Sequence, residues 1–339
     1  MAGWMRWRTV VASLAVAAGA ATCAAQGRGE TYAIADAVFL QRDNSVHDRP
    51  FVLESPGGAT AISSRDPQFA VQPGLRLFYG SVDDCNRGWE AGYLGVWGMF
   101  ADAEAANSGT LQAADPLGTP IGVLNGASFA RATYSSTLNS AEFNLFSRFS
   151  DGGYQRGAPE PWRRCQGYCE GSLDWLLGFR WAGLDESAAL AFSPAGNPGA
   201  GLYAVRSTSN LYGVQVGSRG RMAWDRWAFE GWGKVALAGV GMSQSQLPIE
   251  NSVINFQERA AQSSTSGGVG FIGDMNFTAT YRLNDTWGLR AGYNLLWLSG
   301  VALAPNQFDF SSPPDGGNTL VGGSSLFLHG ANLGLEARW

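Results

Sequence analysis

Thirteen charged side chains recur at alternate positions in segments whose remaining positions are apolar: Arg76, Glu90, Glu142, Arg148, Asp174, Arg180, Glu230, Lys234, Asp274, Arg282, Arg290, Glu336 and Arg338. Six are acids and seven are bases, so on one surface they can do either of two things. Spread around an aqueous passage, opposed acidic and basic rows make a transverse field that passes small polar solutes and rejects lipophilic ones. Brought within ion-pair distance, they form a network that fills a narrow interior and holds it shut. The spacing allows both.

Other chemistry has less to work with. His47, between Asp43 and Asp48 in a polar stretch, and His329 are the two histidines. A hydrolase would need one of them to converge with a nucleophile or a carboxylate within hydrogen-bond reach, so the chain is not expected to be an enzyme, with a barrel-embedded hydrolase as a remote alternative. Cys85, Cys165 and Cys169 remain beyond the N-terminal segment. An oxidising compartment permits a disulfide between two of them, whereas a closed zinc site would want four ligands; neither metal nor cofactor is implied. Net charge is -5 and no run of Lys or Arg follows residue 25, which argues against a nucleic-acid partner.

The elements that carry the charges are strands. Ala331, Leu333, Leu335, Ala337 and Trp339 alternate with Gly330, Asn332, Gly334, Glu336 and Arg338, and period two means a strand with unlike faces. Phe271, Met275, Phe277, Ala279 and Tyr281 oppose Asp274, Asn276, Thr278, Thr280 and Arg282; after Asn284-Asp285 the chain returns with Trp287, Leu289, Ala291, Tyr293, Leu295 and Trp297 apolar, a long hairpin. The same pattern holds for Trp89, Ala91, Tyr93, Gly95 and Trp97, and for Leu173, Trp175, Leu177, Phe179 and Trp181. Further strands are read near 31–41, 68–80, 134–149, 204–219 and 227–240, which makes ten in all, or twelve if 188–206 folds as an extra hairpin.

Composition fits many short strands: 15% of residues are charged and 12% aromatic, with 13 Trp and 46 Gly. The mean hydropathy of -0.09 is too low for helical spans but natural for transmembrane strands that alternate between lipid and a polar interior. A lipid-facing charge near the bilayer midplane costs about 2–4 kcal/mol for Arg or Lys, so the sorting of charge to one face orients the strands. Connections fall into two classes. Segments 81–88, 220–226 and 283–286 are tight, while 42–67, 99–133, 182–203, 241–266 and 299–325 are long and rich in Gly, Pro, Ser, Asn and Asp; 150–170, with Cys165 and Cys169, is long for its class. That asymmetry, with an even strand number, describes an all-β, antiparallel up-and-down barrel with both termini in the periplasm. Arg6 and Arg8, an apolar stretch from Val10 to Ala21 and small residues to Ala25 lay out a secretory signal peptide over 1–25, leaving 26–339 as the barrel domain.

The stretch Phe271-Ile272-Gly273-Asp274 through Tyr281-Arg282-Leu283, followed by Leu289-Arg290-Ala291-Gly292-Tyr293-Asn294, resembles putative β-barrel porin family seven. The likeness extends back through Asn210-Leu211-Tyr212-Gly213, Leu177-Gly178-Phe179-Arg180-Trp181 and Trp89-Glu90-Ala91-Gly92-Tyr93, and it departs at Asp274, where Glu is expected. The resemblance implies an outer-membrane barrel and supplies no catalytic residues and no solute. The terminal Trp339 resembles the signal by which such barrels are recognised for assembly. The expectation is therefore a bacterial outer-membrane porin that passes small hydrophilic solutes by passive diffusion, with outer-membrane lipid and the barrel assembly machinery as partners and a homo-oligomer allowed. The alternative is a closed barrel whose long extracellular loops bind a surface partner. With about ten strands the interior is much narrower than that of the 16–18-stranded porins.

Overall fold

A computed structural model describes residues 29–55, 57–114, 124–150, 170–194, 201–251, 256–310 and 318–339. Ten antiparallel strands form the wall: β1 (Glu30–Arg42), β2 (Gln72–Val82), β3 (Arg87–Ala113), β4 (Ala127–Ser150), β5 (Glu170–Pro194), β6 (Gly201–Trp224), β7 (Trp227–Gln246), β8 (Gln262–Arg282), β9 (Trp287–Val301) and β10 (Ser324–Arg338). Each pairs with the next, and β1 pairs with β10 from Tyr32–Arg338 to Arg42–Leu328, which closes the ring over the height that the shorter strands share. The barrel of ten strands matches the sequence reading. The extra hairpin at 188–206 does not exist, because β5 and β6 stay in one unbroken register from Glu170–Ala223 to Phe192–Gly201.

The segments 99–133, 182–203 and 241–266, read from sequence as loops, are largely strand. The reason is visible on β3. Up to Val96 the even positions point inward; the register shifts between Val96 and Met99, where Gly98 takes φ of 70°, and from Met99 the odd positions point inward. A bulge inserts one residue and flips the faces, so a strict period-two pattern stops there although the strand does not.

The wall is uneven. Strands β3 to β8 run 20–27 residues, whereas β1, β2, β9 and β10 run 11–15. Over the low side the chain folds back into the mouth: a short hairpin, 50–53 with 60–63, is pinned to the top of β3 through Val52–Ala113 and Leu53–Gln112, and residues 301–310 cross the interior with a single 3-10 turn at Ala304–Gln307.

Two cores of opposite character result. In the end of the barrel that holds the short turns, the outer face carries exposed Trp89, Phe143, Trp175, Phe179, Phe229 and Trp287, and the inner face carries the charges. In the other end the faces are exchanged. Val38, Leu94, Leu138, Leu184, Leu211 and Leu298 are buried inside against Phe51, Leu303, Phe308 and Phe310 from the two inserted segments, and the outer face shows Asp102, Arg131, Thr133, Asp185 and Thr208. Among the described residues no helix is long and apolar enough to cross a membrane.

Candidate functional site: the filled interior

Alternation places one face of every strand inside the ring, and the ring brings inward charges from distant strands across the axis. Arg219 on β6 reaches Glu90 on β3 at 2.5 Å and Asp174 on β5 at 2.9 Å. Lys234 on β7 lies 3.3 Å from Glu90 and 3.0 Å from Glu142 on β4. Asp274 on β8 receives Arg180 at 2.9 Å and Arg76 at 3.5 Å, and Arg76 donates to the Asn294 side chain on β9 at 2.5 Å. Toward the short-turn end, Arg148 joins Glu30 at 3.1 Å to Asp174 at 3.0 Å. Arg338 contacts Glu30 and Glu336; Arg290 contacts Glu336, Asp36 and Glu230; Arg221 bridges Glu230 at 3.1 Å and Glu336 at 3.0 Å.

Eight carboxylates therefore meet eight cations in this set. The balance has a physical cause, since an unpaired charge taken out of water costs several kcal/mol even after relaxation. Uncharged groups take the remaining bonds. Tyr32 donates to Glu90 at 2.7 Å, Gln215 to Glu142 at 2.6 Å, and Asn276, Asn294 and Asn332 bond to one another at 2.7–3.2 Å. The Lys234 ammonium also sits over the Phe78 ring at 4.7 Å and the Trp232 ring at 5.4 Å, a desolvated cation–π arrangement. Arg76, Arg180 and Arg290 are each 0–1% exposed.

Of the thirteen charges singled out from sequence, eleven are buried inside the ring; Arg148 keeps 16% of its side chain exposed, and Arg282 sits half-buried at the lip beside the 283–286 turn. Sequence reasoning missed Glu30, Asp36, Arg219 and Arg221. The same alternation signals them: Tyr32, Ile34, Asp36, Val38 and Leu40 share one face of β1, as do Gln215, Gly217, Arg219 and Arg221 on β6.

A ninth pair lies in the apolar end. Arg42 is 2.7 Å from Glu186, donates to the Tyr134 hydroxyl at 2.5 Å, and is held between the Phe69 and Tyr134 rings at 4.7 Å each. The inserted segment is tied there by its backbone. Ala304 N–H donates to Glu186 at 2.9 Å, Ala302 N–H to Ser209 at 3.0 Å, and Asp309 N–H to the Tyr203 hydroxyl at 2.8 Å; the Ala302 carbonyl accepts from Ser207 at 2.9 Å. Burial pushes the Tyr203 hydroxyl above its ordinary pKa.

The histidines do not converge. His47 is exposed and contacts Asn306 through its backbone N–H, while His329 points outward from β10, with Nδ1 2.7 Å from the Tyr293 hydroxyl and Nε2 3.8 Å from Asp43. Cys85 is exposed in the turn between β2 and β3, and Cys165, Cys169 and the leader 1–25 lie outside the described residues. Trp339 is 56% exposed at the barrel seam, its backbone exchanging hydrogen bonds with Thr31 at 2.9 and 3.0 Å.

A closed ring of ten antiparallel strands with an aromatic outer belt and a charged interior defines an outer-membrane β-barrel. The chain belongs to the putative beta barrel porin-7 family, whose sequence model matches residues 122–339. The Escherichia coli outer-membrane protease OmpT has a similar fold, with 10% identity, a TM-score of 0.51 and coverage of 93% of this chain and 97% of that one. A Pseudomonas aeruginosa FadL homologue aligns over 92% of this chain and 89% of its own at 7% identity and a TM-score of 0.23, and the deltaS2S3 mutant of the monoaromatic hydrocarbon channel TodX over 93% and 91% at 9% identity and 0.25. No curated protein matches the sequence.

Proposed function

We propose that this protein is a bacterial outer-membrane barrel that stands closed to passive diffusion and works through the folded domain it presents above the bilayer. One observation carries this: four arginines, Arg42, Arg76, Arg180 and Arg290, rank among the largest fully buried side chains, and they occupy the interior where a pore would hold water. A guanidinium lining an aqueous passage keeps its surface wet. Below, the ion pairs span the ring from β3 to β6 and β7; above, residues 301–310 fill it. In this reading the leader 1–25 directs export, the strand ending in Trp339 engages the assembly machinery, and the raised rim with its inserted segments binds a surface partner. The constitutive diffusion pore expected from the charged faces has less support than the closed barrel. Purified protein in planar bilayers is expected to give no steady conductance steps while migrating as a folded, heat-modifiable species on gels. Steady steps from the unmodified protein would return the function to solute passage.

A further inference from the structure

We infer that the outer edge of the hydrocarbon layer crosses the barrel at the level of Asn139 and Asn210, and that the side chains there are the surface that engages the headgroup zone of the outer leaflet. The inference rests on the membrane reading above and fixes its depth. At this level two equivalent clamps stand on neighbouring strand pairs. The Asn139 side-chain oxygen accepts from the Trp97 indole N–H at 3.1 Å and from the Tyr93 hydroxyl at 2.8 Å; the Asn210 oxygen accepts from the Trp181 indole N–H at 3.2 Å. Each indole lies flat along the wall over a glycine: a Cβ on Gly183 would come within 2.8 Å of the Trp181 ring, and a Cβ on Gly95 would collide with Trp97. An aromatic body on the apolar side with its polar edge hydrogen-bonded on the other is what an interface between hydrocarbon and water selects.

The second observation is independent of the clamps. Near this level the barrel exchanges the character of its two faces. On β4 the outward positions pass from Leu145 and Phe143 to Asn139, Thr137 and Ser135, while the inward ones pass from Glu142 to Leu138. On β5 the outward sequence is Phe179, Trp181, Gly183, Asp185, and the inward one Arg180, Ala182, Leu184. A sheet puts its apolar face against the dry side, so the exchange marks where lipid outside gives way to water. From Phe149 to Asn139 a strand rising about 3.3 Å per residue at a tilt near 40° climbs roughly 25 Å, the height of the apolar band in such barrels. From Asn139 to Ala127 the same arithmetic leaves about 30 Å of wall above the bilayer.

The test is nitroxide labelling of outward positions on β4, one cysteine at a time at Leu145, Ala141, Asn139, Ser135 and Thr133, with Cys85, Cys165 and Cys169 replaced by serine, in zwitterionic phospholipid vesicles. Collisional accessibility to oxygen is expected to dominate at 145 and 141, to be matched near 139, and to give way to a water-soluble nickel chelate at 135 and 133. Oxygen dominance at 135 and 133, or nickel dominance at 141, overturns the assigned depth while leaving a membrane barrel. Nickel dominance at every position overturns the membrane reading as well. Val216, Asn210 and Arg206 on β6, in register through β5 with Leu145, Asn139 and Ser135, provide a second series across the same transition, so failure of one β4 variant to assemble does not remove the test.

Discussion

Replacing Lys234 with methionine separates a dry interior from a wet one by magnitude. The Lys234 ammonium lies 3.0 and 3.1 Å from the two oxygens of Glu142 and 3.3 Å from Glu90, with 2% of its side chain exposed. Glu90 retains Arg219 at 2.5 Å and Tyr32 at 2.7 Å, so the loss falls mainly on Glu142, which keeps the neutral donors Gln215 and Asn144. Removing one member of a buried pair costs about 3–5 kcal/mol, because the other charge stays behind unpaired. In a water-filled lumen the same pair would contribute about 0–1 kcal/mol. The difference of about 2–5 kcal/mol corresponds to a factor of roughly thirty to a few thousand in the folded-to-unfolded ratio, since about 1.4 kcal/mol is tenfold. The expected result in urea unfolding followed by tryptophan fluorescence in detergent micelles is a large loss for Lys234→Met and substantial recovery in Lys234→Met with Glu142→Gln, which removes the stranded charge. A near-neutral single variant, or a double variant no better than the single, would refute the dry-network reasoning.

Two other outcomes follow from the apolar end and the seam. Phe308 is 2% exposed and packs edge-on against Phe51 at 5.1 Å and Tyr203 at 4.9 Å, so Phe308→Ala is expected to cost about 3–5 kcal/mol locally. Faster limited proteolysis in the segments flanking 301–310, with unchanged heat-modifiability of the barrel, would match that; an unchanged cleavage rate would contradict the packing. Deleting Trp339 is expected to lower the yield of folded, heat-modifiable barrel in cells while leaving refolding in detergent nearly intact, because its backbone pairs only at the strand end with Thr31. A normal cellular yield would remove the assembly role from this residue.

The strands were legible wherever one face met a uniform environment. Trp287 to Trp297 alternate cleanly because lipid lies on one side and, as far as Asn294, the polar interior lies on the other. Legibility failed above the aromatic belt. There the outward face turns to Thr, Ser and Asn, the inward face to Ala and Leu, and the bulge at Gly98 shifts the phase, so strand was mistaken for Gly- and Ser-rich loop. Arg219 and Arg221 were missed for a different reason: they lie where the strand read near 204–219 gives way to the turn read at 220–226, and glycines at 217 and 220 thin the alternation that Gln215 carries toward them.

The sequence alone determined the class of fold, because period-two alternation, its repetition and the separation of short from long connections are local consequences of strand geometry. It also determined that one face of the strands carries the charges, and it picked out eleven of those that are buried inside the ring. What the charges do was decided by tertiary structure. Whether Glu90 and Arg219, 129 positions apart, face each other across water or touch depends on the radius of the closed ring, and so on strand number, tilt and register. Ten strands bring them to contact, and the low side of the wall lets residues 301–310 enter from above. Closure is thus a property of the ring and of the path the chain takes over it, which no single strand carries.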